Sequence, residues 1–325
     1  MKRRSILAAG AAGAATLGLP ALRAQGLPSG PIKIIVGFPP GGGTDLLARI
    51  LAQKLQVMWN TNIVVDNRAG AAGVLAADLV AKAPPDGQTL LMAHINSHAI
   101  APGLVPKLPY NVERDFSPIV RVGVTPNLLI AYPGVPSKTV KDIVAEAKAK
   151  PGKLTFGSAG NGSAQHLALE MFKSTAKVDL LHVPYRGSGP MLTDLMGGQI
   201  MYSFDTMAAA TPHVASGKVI AIAQTRINRA KAYPNLPTLH DLGYLGFDAS
   251  TWYGLVGPGK MPSLYVRRMN EDVNKVLLMP DVKEKLASVG AEDAGGSAMD
   301  FERFIASETK KWSRVIKDAK VKFEG

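Results

Sequence analysis

The sequence predicts an α/β protein of two similar units, each a mixed, mainly parallel sheet flanked by helices. Three observations predict it. Short apolar runs alternate with stretches of helical periodicity, which implies right-handed βαβ crossovers. The strand–turn–helix theme restarts at Pro151 after a Pro/Gly break at 133–137. Beyond Val256 the pattern becomes purely helical, which suits a tail that returns to cover the first unit.

Taken in order, Ile32 to Val36 is an apolar run that stops at Phe38-Pro39-Pro40-Gly41-Gly42-Gly43. Leu46, Leu47, Ile50, Leu51, Leu55 and Met58 then recur at helical spacing, with Thr44 or Asp45 placed to cap that helix. Residues 62–66 form a second strand, and 67–73 a second glycine-bearing turn before a helix that ends at Pro84-Pro85-Asp86-Gly87. Thr89 to Ala93 is a third strand running into the polar segment His94-Ile95-Asn96-Ser97-His98. That is the carboxyl end of a strand, where open α/β sheets bind ligands. Strands follow at 116–124 and 127–132, and a helix at 138–148.

The second unit repeats this with strands at 153–156, 180–183, 199–204 and 219–224 and helices at 164–176, to Met196, and after Asp205. A strand at 252–256 precedes helices at 263–278, 280–289 and 298–317. This division gives residues 25–125 and 249–325 to the first domain and 126–248 to the second. Hinges are expected near Val124–Asn127 and Phe247–Trp252.

Residues 1–24 read as an export signal: Lys2, Arg3 and Arg4, then the Ala/Gly-rich apolar stretch from Ile6 to Leu19, then Ala24 before Gln25. The Arg3-Arg4 pair leaves both the general and the twin-arginine routes open. Four basic residues leave with the segment, taking 37 to 33 against 25 acidic residues, a net charge of +8. That charge is dispersed, without a dense basic run interleaved with aromatics, so nucleic acid is not expected as a partner. The chain has no cysteine, which excludes disulfides, thiolate metal sites and cysteine nucleophiles. No later stretch is long and apolar enough to span a membrane.

Two glycine-bearing turns carry the functional reading. Gly41, Gly42 and Gly43 lack a Cβ, so a ligand can approach the backbone, and the free N–H groups of the following helix favour an anion. Nucleotide motifs fail here: Leu46 stands where a dinucleotide fingerprint needs glycine or alanine, and no Gly-Lys-Ser/Thr follows. In the second turn Ser158, Asn161 and Ser163 stand before His166, more small polar groups than capping needs. Either helix capping or anion contact uses such groups. Patterns for catalysis are weak. Ser174-Thr175-Ala176-Lys177 sits late in a helix, and no Gly-x-Ser-x-Gly elbow occurs. His94 and His98 lack the intervening glutamate of a metalloprotease pair, and Trp252 reads as core.

These segments together resemble one family. Phe38 to Asp45, Val65 to Gly73, Pro84 to Leu91, Val183 to Gly187 and Trp252 to Gly254 are similar, in order, to the Bug/TctC extracytoplasmic solute receptors of tripartite tricarboxylate transporters. The resemblance implies a type II-like periplasmic binding protein whose two domains close on a small organic carboxylate in the cleft between them. It implies a monomer that needs no cofactor or metal, is not an enzyme, and delivers its ligand to a membrane permease. Contacts would come from Phe38, Pro40, Gly41, Gly42, Gly43, Thr44 and Asp45 on one side. Ser158, Asn161, Ser163 and His166 would complete the grip, with Ser97 and Asp205 lining the same cleft. Two rival readings are a sensory carboxylate binder signalling to a membrane kinase, and an enzyme using Asp45 or Asp205.

Overall fold

A computed structural model describes residues 27–322; the export signal expected at residues 1–24 lies outside them. In chain order the elements are β1 (Ile32–Val36), α1 (Gly43–Trp59), β2 (Ile63–Asn67), α2 (Val74–Ala81), β3 (Thr89–His94), α3 (Ala101–Leu104), β4 (Phe116–Thr125), β5 (Asn127–Ala131), α4 (Val140–Ala149) and β6 (Thr155–Ser158). There follow α5 (Ala164–Ala176), β7 (Leu181–Pro184), α6 (Ser188–Met196), β8 (Tyr202–Thr206), α7 (Met207–Ala215), β9 (Ile220–Gln224), β10 (Thr251–Pro258), α8 (Ser263–Leu277), α9 (Pro280–Ser288) and α10 (Ala298–Asp318). The expected elements are present with ends shifted by a few residues. The exception is the polar segment after β3. It is a buried π turn, Asn96–Ile100, leading straight into α3.

The strands form two five-stranded sheets, ordered β2-β1-β3-β10-β4 and β7-β6-β8-β5-β9. Both follow one plan. Three parallel strands carry the βαβ units, and one antiparallel strand is inserted before the last. That inserted strand is the one arriving from the other sheet: β5 comes in from the first, and β10 goes back to it. The mixed character thus follows from the connectivity.

The chain crosses between sheets at Pro126 and again between β9 and β10. Asn127 joins the two crossings. Its buried amide donates to Ala249 O at 2.6 Å, and its backbone N–H donates to Thr225 Oγ1 at 2.9 Å. Arg226 then pairs with Glu292 and Asp293 at 2.9 and 2.6 Å, tying the second crossing to the loop before α10.

Three of the five strands of the first sheet, β1, β3 and β10, are almost wholly buried, as parallel-type sheets covered on both faces are. Trp252 is core, as its neighbours in sequence suggest: it meets Phe301 and Phe304 of α10 edge-on at 5.8 and 5.6 Å. Gly254 must be glycine for this packing, since a Cβ there would overlap the Phe301 ring. α10 begins at a full capping box of Ser297 and Asp300. It packs on β4, the π turn, α3 and also α5 of the second unit. Replacing Phe301 by alanine is expected to cost about 3–5 kcal/mol in urea unfolding, since a buried aromatic leaves a cavity its rigid neighbours cannot fill.

Candidate functional site

α1 starts differently from the sequence expectation. Neither Thr44 nor Asp45 caps it. The N-cap is Gly42, without a side-chain bond. Thr44 is buried in the first turn. Asp45 is used to brace the loop. Its carboxylate accepts from Gly41 N–H (3.0 Å), from the Arg49 fork (2.9 Å at each oxygen) and from Asn67 Nδ2 (3.0 Å), which also holds Phe38 O. Burial works to raise its pKa, but these hydrogen bonds and the Arg49 charge outweigh it and hold the group below the usual carboxylate value. Gly41 N–H is therefore occupied, whereas the N–H groups of Gly42, Gly43 and Thr44 make no hydrogen bond among the described residues. Pro40 and Gly41 are exposed at the loop's tip.

Behind the loop, the Phe38 ring tilts against His94 at 4.5 Å, and His94 meets Tyr253 edge-on at 5.3 Å. Ser97 lies in the same cluster; its hydroxyl bonds His94 O (3.1 Å) and His98 Nδ1 (2.9 Å). His94 and His98 are wholly buried among aromatic rings, which pushes both pKa values down to about 3. Both are neutral packing groups.

The second turn satisfies most of its own donors. Ser163 caps α5 by accepting His166 N–H at 3.2 Å, and Gly160 N–H donates to Ser158 Oγ at 3.1 Å. Gly162 N–H donates to His166 Nδ1 at 3.1 Å, so the ring proton sits on Nε2, 3.8 Å from Glu170. His166 stacks on His182 at 4.0 Å, and His182 Nε2 meets Ser158 Oγ at 2.6 Å. Burial, aided by the Lys173 charge, lowers His166 to about 4, so it is neutral. Asn161 stands at the tip of this turn. The first N–H of α5, at Ala164, is also taken: Asn96 Oδ1 of the π turn reaches across from the first unit to accept it at 3.0 Å.

The units also meet at the start of α1. A Cβ on Gly43 would lie 2.8 Å from the Tyr253 hydroxyl and 3.3 Å from the Ala208 Cβ, so the start of α1 abuts the start of α7. Asp205, at the end of β8, gathers three helix N-termini there. Its Oδ1 accepts from Gln165 Nε2 of α5 (3.2 Å), Ser188 Oγ of α6 (2.7 Å) and Thr206 N–H at the start of α7 (2.8 Å). Complete burial pushes its pKa up to about 6 against those bonds. Burial also raises the Tyr253 hydroxyl, with the Asp205 charge adding to the shift. The N–H groups of Ser188 and Gly189 make no hydrogen bond among the described residues, and a Cβ at Gly41, Gly187 or Gly189 would enter open space.

The geometry therefore brings together Gly42, Gly43, Thr44, Tyr253, Ala208 and Asp205, with α6 alongside. Sequence reasoning missed Ser188, Gln165 and Tyr253. The segment Tyr185-Arg186-Gly187-Ser188-Gly189 carried a signal of the same kind as the other turns, a strand end followed by Gly and Ser and then a helix. Gln165 carried none, since its role comes from the approach of α5 to Asp205, and Tyr253 lay in the Trp252–Gly254 segment, though its place beside Gly43 comes from the pairing of β10.

The family model described as the tripartite tricarboxylate transporter family receptor matches residues 47–321. Protein BugT of Bordetella pertussis is 36% identical over 313 residues, covering 95% of this chain and 96% of that one. The structure of R. palustris Rpa4515 with adipate superposes with a TM-score of 0.87 at 33% identity, covering 91% of this chain and 99% of that one. MatC from Rhodopseudomonas palustris with bound malate gives 0.83 at 31% identity, covering 89% and 100%.

Proposed function

This chain belongs to the tripartite tricarboxylate transporter receptor family, and on that premise we propose that it captures a small organic carboxylate between its two domains and passes it to a membrane permease. The observation that carries the reading is the set of N–H groups at the starts of α1 and α6, one helix from each unit, that make no hydrogen bond among the described residues. Each hydrogen bond to an ionised carboxylate contributes about 1.5–3 kcal/mol. Only a closed arrangement offers both sets, so ligand shifts the population toward closure. Adipate and malate, in the two related structures, are carboxylates of this kind.

Within this reading Gly42, Gly43 and Thr44 hold the carboxylate directly. Asp45 and Gly41 shape the loop, and Phe38 with Ser97 backs it. Ser158, Asn161, Ser163 and His166 set the shape of the opposing turn, with the donors on that side supplied by α6. The export signal expected at the N-terminus places the mature chain in the periplasm. The hinge lies at Pro126–Asn127 and Ala249–Thr251, and residues 25–125 with 249–325 move against 126–248. Backbone donors of this kind hold the ligand carboxylate without a charged partner, so releasing that group breaks no ion pair.

Thermal-shift screening of the mature protein against mono-, di- and tricarboxylates tests the proposal, with calorimetry on the hits. Stabilisation by at least one carboxylate is expected, and none by sugars or polyamines. A protein stabilised only by neutral or cationic solutes would sink the reading.

A further inference from the structure

The convergence of helix N-termini that suits an anion also contains an acceptor in need of a donor. Asp205 is completely buried, and its two oxygens are unequal. Oδ1 takes three donors, from Gln165, Ser188 and Thr206, while Oδ2 is buried with no hydrogen-bond partner among the described residues. It makes no ion pair among the described residues. A buried carboxylate oxygen without a donor is unfavourable, and such atoms are rare in folded proteins. The elements packed round it offer Gln165, Ser188 and Thr206, already used on Oδ1, and Tyr253, whose hydroxyl lies against Gly43. Ser188, which holds Oδ1, is flanked by Gly187 and Gly189, and these two face open space.

We propose that Asp205 reads a hydrogen-bond donor on the ligand, so that the substrate class is carboxylic acids bearing a hydroxyl or ammonium group close to the carboxylate. The inference rests on the carboxylate reading above and narrows it. Free N–H groups of α1 and α6 take the carboxylate, and Oδ2 takes the neighbouring O–H or N–H. An ammonium would gain most, because its bond to an ionised carboxylate is charge-assisted. An unsubstituted acid would leave Oδ2 unpaired, and a site built to hydrogen-bond a substituent rejects the analogue that lacks it.

The test is calorimetry at pH 8 on the mature protein and on Asp205→Asn, with three probe sets. These are succinate, 2-methylsuccinate, malate and aspartate; glutarate, 2-hydroxyglutarate and glutamate; and 3-phenylpropionate, 3-phenyllactate and phenylalanine. In whichever set binds, the donor-bearing member should be at least about tenfold tighter than its unsubstituted parent. In the first set 2-methylsuccinate, matched to malate in size, should be no better than succinate. Asp205→Asn puts an amide N–H₂ where Oδ2 was, so the preference should collapse, most of all for the ammonium-bearing member. Equal affinity for parent and substituted acid, or a preference that survives in Asp205→Asn, overturns the proposal and leaves carboxylate binding standing. If no carboxylate in these sets or in the wider screen binds, it is the carboxylate reading itself that fails.

Discussion

Gly43→Val lowers carboxylate affinity about five- to a hundredfold in calorimetry. The new Cβ would lie 2.8 Å from the Tyr253 hydroxyl and 3.3 Å from the Ala208 Cβ. Tyr253 is buried on β10 within the first unit and Ala208 belongs to the second, so it is the Ala208 contact that lies between the units and that the side chain obstructs on closure. Overpacking against Ala208 costs about 1–3 kcal/mol, and that cost falls on the closed form. Apparent affinity scales with the closed fraction, which converts that cost into the stated loss at about 1.4 kcal/mol per tenfold. The companion variant Gly43→Ala separates the two neighbours. Its methyl group clashes chiefly with the hydroxyl oxygen, a contact within the first unit, so adding Tyr253→Phe should restore the urea stability of Gly43→Ala and leave the affinity loss of Gly43→Val unchanged. Wild-type affinity in Gly43→Val would mean that this contact is no part of the ligand-bound form. A Cβ on Gly42 would meet only Pro39 O, at 3.8 Å, so the protein itself leaves that position open.

The contrast between Gly42 and Gly43 shows what a sequence can carry. Strand and helix identity was legible because it rests on local periodicity: β1, α5 and α10 occupy nearly the residues that their apolar spacing marks. The return of β10 to the first sheet was legible from the change to an all-helical tail. What was not legible depends on which groups satisfy one another. Asp45 has the residue type and position of a helix cap, yet Arg49 and Asn67 claim its oxygens. His94 and His98 look polar in the sequence, yet the π turn buries both beside Phe38, Tyr253 and Phe116. The turn from Ser158 to His166 has the composition of an anion site, and its N–H groups at Gly160, Gly162 and Ala164 are taken by Ser158, His166 and Asn96. N–H groups without a hydrogen bond among the described residues also lie one βα turn further on, at Ser188 and Gly189. Composition names the turns able to bind an anion, and tertiary hydrogen bonding decides which of them still has donors free.

The same accounting makes Asp205 a source of instability when no ligand is bound, and Asp205→Asn is expected to stabilise the ligand-free protein at pH 8. Burial pushes the folded pKa up to about 6, from an ordinary value of 3.8. Below pH 4 the carboxyl is protonated in both folded and unfolded chains and contributes nothing. Between the two values the folded chain holds a proton that the unfolded chain has released, so stability falls as pH rises. Above pH 6 the full cost is present, about 3 kcal/mol at 1.36 kcal/mol per unit. Asparagine keeps a carbonyl oxygen for Gln165, Ser188 and Thr206 and carries no charge to desolvate. Urea unfolding should therefore show the variant more stable by up to about 3 kcal/mol at pH 8, with the difference shrinking toward zero at pH 4. Other carboxylates titrate alike in the two proteins and cancel in the comparison. A difference that does not change with pH would place its cause in packing, and the unpaired oxygen would lose its energetic meaning. Stability given up at a buried carboxylate in the ligand-free state is regained when a ligand donor pairs with it, so the measured cost bounds what that donor can contribute to binding.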